Sequence, residues 1–542
     1  MKKRILALLL TAVMVVTMIP FAAFAAIAAE TATGGDGNVF DADGKIIADP
    51  DWYDSTSKDH YVWDESDFLA FGANMVKAAS NYKGQVIHIM ADLDFNAADG
   101  TNAEWPAGYR NRTIYGIVDG HNHTIKGLTY SPQTGDYIGF FGGRFYATEA
   151  VNEVYGCASG VLNVRMEDCS IITGAAKIVG AIAGRAEEGN QVIFKNIYAD
   201  VDIIGGTDLV GGICGWDLGT TTIFENCIYA GDMTLTGGSR VGGIVGSVRK
   251  NAAASTNATD IRDCLVTGNI NVTCAADTAA AGAGVSVGGI VGGLSDKGGS
   301  NGDQPREGNL SIYFSTFAGK ITTNAEYVGM AVGSCQADLN ETTPVKGSLS
   351  VSHSNLIGEL EITGEWTTNA VIVGKANSHD VSLEVCSYDP IFKVNGNDTA
   401  RLLSDGEILK KDRDNVSLGT AGTSVTKYAG YQVTAAADGK VNVRFVSTVD
   451  SLAHENVGYD ITYVISDYVK EDIDTVYTSI LGGTKTYTAT DLGGGYIFTA
   501  EYEGLEVDCG IVTFLVKTYH VDGGEKIWDD VQAIIIDTSA LK

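Results

Sequence analysis

The sequence predicts an all-β chain: a right-handed parallel β-helix with a capping helix at its N-terminus, followed by a C-terminal β-sandwich. Three observations carry this expectation. A glycine-flanked hexapeptide returns along much of the chain, a companion strand precedes its copies, and beyond residue 427 the pattern changes to apolar and polar residues in alternation.

The chain opens on Lys2, Lys3 and Arg4, then an apolar run over 5–19, Pro20 and a cluster of small residues. This is the pattern of a secretory signal peptide, expected over 1–28 with cleavage near Ala25 or Ala28. The alternative, a retained anchor, is disfavoured because the run is shorter than the ~20 residues a spanning helix needs. The expectation is a secreted or cell-surface-associated protein with no membrane insertion after cleavage and an N-terminal extension over 29–61. Lys and Arg number 37 against 67 Asp and Glu, a net charge of −30. Such a field repels phosphates and anionic lipid heads, which argues against nucleic acid and membrane surfaces as partners. Nine cysteines in 542 residues are too sparse for a disulfide scaffold, and their odd number leaves at least one thiol free.

The repeat fixes the next expectation. Val210-Gly211-Gly212-Ile213-Cys214-Gly215 returns as Val241-Gly242-Gly243-Ile244-Val245-Gly246 and as Val287-Gly288-Gly289-Ile290-Val291-Gly292. Weaker copies begin at Tyr137, Val179, Val328 and Asn369, giving successive spacings of 42, 31, 31, 46, 41 and 41 residues. Companion strands read FKNIYA from Phe194, FENCIYA from Phe224, IRDCLVTG from Ile261, IYFSTFAG from Ile312 and VSHSNLIG from Val351. A unit of ~31 residues cannot bury its own apolar face, but stacked units can. Three short strands per coil, each paired in parallel ~4.8 Å along the axis, fit that length. Ile182, Ile213, Ile244, Ile290 and Ile372 would then form an inward ladder, with glycines at the corners. The longer units would carry loops over 251–259, 276–284, 295–308 and 336–347. The β-helix is expected over 62–394.

A solenoid needs its ends covered. Phe68, Leu69, Phe71, Met75, Val76 and Ala79 fall on one helical face in 67–80, with Ser66 or Asp64 as N-cap, which predicts a helix over the N-terminal mouth. A strand over 85–91 would open the solenoid. Residues 395–426 are polar and charged and are expected to be a cap or linker. In 427–542, Val441, Val443, Phe445 and Val449 alternate with Asn442, Arg444 and Thr448. Further strands are expected over 459–465, 496–500, 511–519 and 531–536, which suits a β-sandwich.

The VGGIVG units and their companion strands resemble the GLUG repeats of exported bacterial surface proteins. The opening is similar too: Ala91-Asp92-Leu93-Asp94, Trp105-Pro106-Ala107-Gly108, the stretch YGIVDGHNHTIKGL over 115–128, and YIGFFG from Tyr137. The resemblance covers residues 62–374. It implies adhesin-like proteins, and accessory repeats beside catalytic domains such as immunoglobulin A peptidases, without making the repeat catalytic. His454-Glu455-Asn456-Val457-Gly458 begins like a zinc-protease H-E-x-x-H motif, but glycine stands where the second histidine belongs. The stretch 443–461 resembles uncharacterised modules at the ends of other secreted bacterial proteins.

Parallel β-helices of the pectate-lyase type host polysaccharide lyases and hydrolases, so paired carboxylates were sought. Asp200 and Asp202, at i, i+2 on one strand face with Lys195 nearby, are the strongest pair. Their structural reading is a solvated outer face beside Val201 and Ile203, and Glu225 and Asp232 one coil on do not repeat the pair. His121 and His123 flank Asn122 in a glycine-rich turn, where they could hold a metal or a sugar or simply form a corner. Asp41-Ala42-Asp43-Gly44 and Asp92-Leu93-Asp94 carry fragments of calcium-loop composition without the remaining ligands. Cys227 and Cys264 occupy equivalent positions, where Asn196, Ser315 and Ser354 sit in other units; either a stack of small residues or a disulfide follows. Cys214 reads as a small hydrophobe. Trp216 and Trp366 could offer a stacking platform to a glycan.

With no convergent titratable cluster in the sequence, the expected function is noncatalytic: binding of an extracellular glycan or a surface protein through the repeats. The expected site has no catalytic residue, no metal and no cofactor. A carbohydrate-active enzyme working in the groove, or a purely structural surface component, is the alternative.

Overall fold

A computed structural model describes the chain between residues 37 and 538, leaving out 97–102, 106–112, 250–257, 275–284, 295–308, 337–347, 364–371, 399–415, 419–425, 450–456, 467–495 and some shorter gaps. The expected signal peptide, nearly all of the loops expected in the longer units, and Trp366 lie outside the described residues.

The described chain is all-β apart from one helix, Glu65–Lys77. Its strands form long parallel sheets, consistent with a β-helix, in which each segment pairs with its counterpart one coil on. One ladder runs through Asp59–Val62, Val86–Ile89, Ile117–Asp119 and residues 159–162, 191–195 and 221–225. It continues through Ala258–Arg262, Asn309–Tyr313, Ser348–Ser352, Asp380–Glu384 and Val416–Leu418. Two further ladders follow within the same sheet, one carrying Cys227 and one carrying Met233–Thr236. The VGGIVG copies supply two more. Ile178–Gly180, Leu209–Gly211, Arg240–Gly242, Ser286–Gly288 and Tyr327–Gly329 form one, and Cys214–Asp217, Val245–Val248 and Val291–Leu294 lie in the other. A coil therefore holds five short segments where three were expected.

The interior follows from the two-residue period of a strand. Ile87, Val118, Val161, Phe194, Phe224, Ile261, Ile312 and Val351 stand in register and are each fully buried. Burying a side chain of this size contributes about 2 kcal/mol, and Phe194 and Phe224 also stack with ring centroids 5.1 Å apart. The isoleucine ladder forms as a chain of backbone bonds from Ile182 to Ile213, Ile244 and Ile290, but Ala331 stands between Ile290 and Ile372. Glycine beside that ladder has a steric cause. A Cβ on Gly212 would lie 2.0 Å from the Gly243 carbonyl oxygen and 2.4 Å from Cγ of Tyr229.

Corners use a second device. Asn163, Asn196, Asn226, Asp263 and Phe314 all adopt left-handed backbone, with φ between 51° and 55°. Asparagine tolerates this region because its short amide can bond locally. Here the amides bond from coil to coil: Asn196 Nδ2 donates to Asn163 Oδ1 at 2.8 Å, and Asn226 Nδ2 to Asn196 Oδ1 at 3.1 Å.

The ends differ from expectation in two respects. Among the described residues the first parallel rung is Asp59–Val62, so the strand expected over 85–91 is the second rung and the helix lies between them in sequence. Asp64 is the N-cap: its Oδ1 accepts the Asp67 amide at 3.1 Å, while Asp67 Oδ2 accepts the Trp63 amide at 2.9 Å. The first bond satisfies one of the amides a helix start leaves open, and the second ties the residue before the cap to the first turn. Ser66 instead binds the Val39 amide through Oγ at 2.7 Å. On the buried face, Phe68 meets Trp105, Phe95 and Phe141 with ring centroids 4.9 to 5.9 Å away. At the other end, Val416–Leu418 pairs in parallel with Asp380–Glu384. The sheet thus continues into the segment 395–426 expected as cap or linker, because Val416 and Leu418 extend an apolar alternation that its charged neighbours obscure.

The C-terminal stretch is antiparallel. Thr426–Ala435, Lys440–Val449 and Tyr496–Glu506 form one sheet, and Gly458–Ser466, Ile511–Asp522 and Glu525–Asp537 another. Val441, Val443, Phe445 and Val449 are buried as the alternation required. They share one cluster with Tyr459, Val512, Phe514 and Ile536 from the other sheet.

Candidate functional site

Outward side chains of the central coils are engaged with one another from coil to coil. Asp202 Oδ1 accepts the Asp232 amide at 2.9 Å, and Asp232 Oδ1 accepts the Asn269 amide at 2.8 Å. Asp200 Oδ2 meets the Asp168 amide at 3.5 Å. Burial, together with Asp168, Asp202 and Glu167 nearby, pushes the Asp200 carboxyl up to about 6. Lys195 turns from this pair to Glu225, 2.8 Å away. Glu225 also receives Arg262, whose Nη1 reaches the Tyr313 hydroxyl at 3.2 Å. Burial would raise Glu225, but the bonds from Lys195 and Arg262 outweigh it and hold it below the usual range. Of the candidate trio, Asp200 and Asp202 lie near each other and Lys195 is engaged by Glu225 instead.

Trp216 is not an open stacking face. Arg185 and Arg249 lie over its ring with Cζ at 4.7 and 5.9 Å from the centroid, and Arg185 also reaches Tyr137. Cys227 and Cys264 are in equivalent positions but are separate thiols, like Cys214, and all three are buried. Their alignment with Asn196 is corrected by one residue, since Cys227 pairs with Ile197 and the asparagines stack with each other. Asp92 accepts the Thr124 amide at 2.8 Å and faces Nδ1 of His123 at 3.0 Å, and Asp94 Oδ1 accepts the Asn96 amide. The Asp92 contacts join one rung to the next, and the Asp94 contact closes a local turn. Asp41, Asp43 and the His454-Glu455-Asn456 stretch lie outside the described residues.

A different cluster assembles on the first rungs. The parallel register sets Tyr61 beside His88 and His88 beside Asp119. Inward neighbours Ile87 and Val118 are buried, so strand alternation turns His88 and Asp119 to the outer face. Immediately after Asp119 the chain turns at Gly120, and His121 and Asn122 take left-handed backbone with φ of 48° and 66°. That turn brings His121 Nε2 to 2.9 Å from His88 Nδ1 and 3.6 Å from Asp119 Oδ2. Burial holds His121 below the usual histidine range, with Asp119 opposing that effect.

Each member is held from behind. His88 Nε2 faces Asp59 Oδ1 at 3.2 Å, and Tyr61 stacks on the His88 ring at 5.0 Å. Asp119 Oδ1 accepts the Asn163 amide at 2.9 Å and the backbone N–H of His121 at 3.0 Å. Tyr155, in a turn closed by the Asn152–Cys157 bridge, lies beside Asp119; burial, then the charge of Asp119, raises its phenol well above the usual range. His121 retains 20% side-chain exposure, against 9% for His88 and 7% for Asp119, so the cluster is reached from its side.

The two histidines of the glycine-rich turn do not converge: His121 joins this cluster and His123 pairs with Asp92. His88 was missed because a lone histidine in QVIHIM reads as one outward strand position. Its partners, Asp59 and His121, lie 29 and 33 residues away in the chain, so only the rung register identifies them.

No helix among the described residues is long and apolar enough to cross a membrane. No protein-family profile matches the chain, and no solved structure matches it. Over 103 residues, 19% of its length, the chain is 31% identical to Halomucin from Haloquadratum walsbyi, and the match spans 1% of that protein.

Proposed function

We propose that this is a noncatalytic, secreted or cell-surface-associated protein that binds an extracellular glycan or a surface protein along the sides of a right-handed β-helix. In this reading the repeats are of the GLUG type, residues 1–28 are a signal peptide, the helix Glu65–Lys77 caps the N-terminal mouth, and the two antiparallel C-terminal sheets form a β-sandwich that is a second binding module. The observation that carries the reading is the mutual satisfaction of the outer polar residues. Asp202 and Asp232 each hold the backbone of the following coil, and Glu225 is held by Lys195 and Arg262. Charges committed to their neighbours make a regular, rigid surface, and among the described residues of these coils leave no acid and base facing across a cleft. The Halomucin stretch adds no activity to this reading.

One observation favours the enzymatic alternative: an Asp200 carboxyl raised to about 6 suits a general acid. Incubating the purified chain with a panel of polysaccharides and cell-envelope fractions separates the two. Saturable retention without new reducing or unsaturated ends is expected. Release of such ends, abolished by Asp200→Asn, would replace binding by catalysis.

A further inference from the structure

We infer that His88, Asp119 and His121 form a binding site for a transition-metal dication of the zinc class, on the outer face of the first rungs. Their ligand atoms, Nδ1 of His88, Nε2 of His121 and a carboxylate oxygen of Asp119, all lie within 4.8 Å of one another. An ion held ~2.0–2.2 Å from each nitrogen and oxygen donor needs donors ~3–4 Å apart; the His121–Asp119 separation, 3.6 Å, falls within that range and the His88–His121 separation, 2.9 Å, lies just below it. Two imidazoles and one carboxylate are the donor set that zinc, cobalt and nickel accept and that calcium and magnesium do not favour. Three protein ligands leave at least one position for water or for an oxygen of a bound partner.

The supports behind the ligands point the same way. A metal-bound histidine commonly gives its second ring nitrogen to a carboxylate, which fixes its orientation and makes the ligating nitrogen more basic. Asp59 stands in that place behind His88, at 3.2 Å. Asp119 has Oδ1 occupied by Asn163 and by the His121 amide, turns Oδ2 to His121, and is also bonded by the Tyr155 phenol. The left-handed backbone of His121 and Asn122 aims the imidazole back at the rung before it. Such backbone in a non-glycine residue costs about 1–2 kcal/mol, and strained backbone of this kind gathers at ligand clamps. The His88 and His121 rings are stacked, with centroids 5.2 Å apart, so binding would exchange the contact between the imidazoles for two metal bonds as the more exposed His121 ring turns.

The test is titration of the full-length protein with cobalt(II) and zinc(II) chloride. One equivalent of cobalt should produce visible ligand-field bands without a thiolate charge-transfer band, and zinc should displace it. The pair of substitutions H88Q and H121Q should weaken binding at least 100-fold, Asp59→Asn about 10-fold, and His123→Gln should leave it unchanged. Should the paired variant not fold by circular dichroism, histidine modification with diethyl pyrocarbonate on the wild-type chain decides. Zinc should then shield His88 and His121 and leave His123 reactive. Absence of saturable one-to-one binding, retention of affinity in a folded H88Q/H121Q chain, a thiolate band, or equal reactivity of all three histidines with and without zinc would overturn the site.

Discussion

The coils over 159–262 and the rungs over 59–126 share the same parallel hydrogen bonds and differ in what they turn outward. In the coils, equivalent positions hold equivalent or complementary residues: Asn163, Asn196 and Asn226 in a line, and Lys195, Glu225 and Arg262 in another. In the rungs the succession is Tyr61, His88, Asp119, three kinds of side chain, with a second histidine, His121, added from the turn. The inward positions show the same contrast. His60 heads the ladder that Ile87, Val118, Val161 and Phe194 continue. Repetition stabilises a stack because each residue meets a like neighbour; departure from repetition is where a stack can hold distinct chemistry.

Phe224→Ala should have the largest effect. Phe224 is fully buried and stacked on Phe194, so the transfer loss and the cavity together should remove about 3–5 kcal/mol, read by chemical denaturation. A loss below 1 kcal/mol would mean that the central coils are not the rigid partner in the comparison. Asn196→Ala should rank next, at about 1–2 kcal/mol, because it breaks bonds to both flanking asparagines and places alanine in left-handed backbone.

Asp200→Asn tests a carboxyl of the central coils that burial disfavours in its charged form. Its folded value, about 6, lies above the ordinary 3.8, so the carboxyl lowers stability increasingly as pH rises from about 4 to about 6, and fully beyond. That elevation corresponds to at most about 3 kcal/mol, less for its solvent-screened part. The variant should gain about 1–2 kcal/mol at pH 7 and nothing below pH 4. An equal gain at both pH values would assign the effect to packing.

His60→Phe is the smallest change and probes the rungs. Burial holds His60 below its ordinary 6.5, and its Nε2 has no hydrogen-bond partner among the described residues. Its contribution is complete above about pH 6.5 and is lost as pH falls toward the depressed folded value, since the unfolded chain takes up the proton first. Phenylalanine, among Trp52, Tyr53 and Tyr82, should leave stability at pH 7.5 nearly unchanged and flatten the decline toward pH 5. A decline of unchanged slope would exclude His60 as its source.

What could be read from the sequence was what repeats. Gly212, Gly243 and Gly289 mark the close approach of neighbouring backbones, and the isoleucines beside them mark the interior, because both needs recur every coil. Asparagine corners were hidden in plain companion strands, since nothing in FKNIYA or FENCIYA separates a left-handed asparagine from an extended one. That is why Cys227 was aligned one residue off. Val416–Leu418 was masked by charged neighbours, and Asp59–Val62 by the helix that follows it. Of the candidate site, only His121 was singled out, and with the wrong companion; His88, Asp119 and Asp59 come together through register alone.

In-register stacking has a consequence for the length of the molecule. Gln191 pairs with Thr221, thirty residues on, so removing residues 191–220 would join residue 190 to a strand that already matches the one it replaces. Each such excision or duplication would shorten or lengthen the stack by about 4.8 Å and leave the histidine cluster at the other end untouched. Reach is thereby separable from chemistry: copying a coil can set how far the protein extends without rewriting what its first rungs hold.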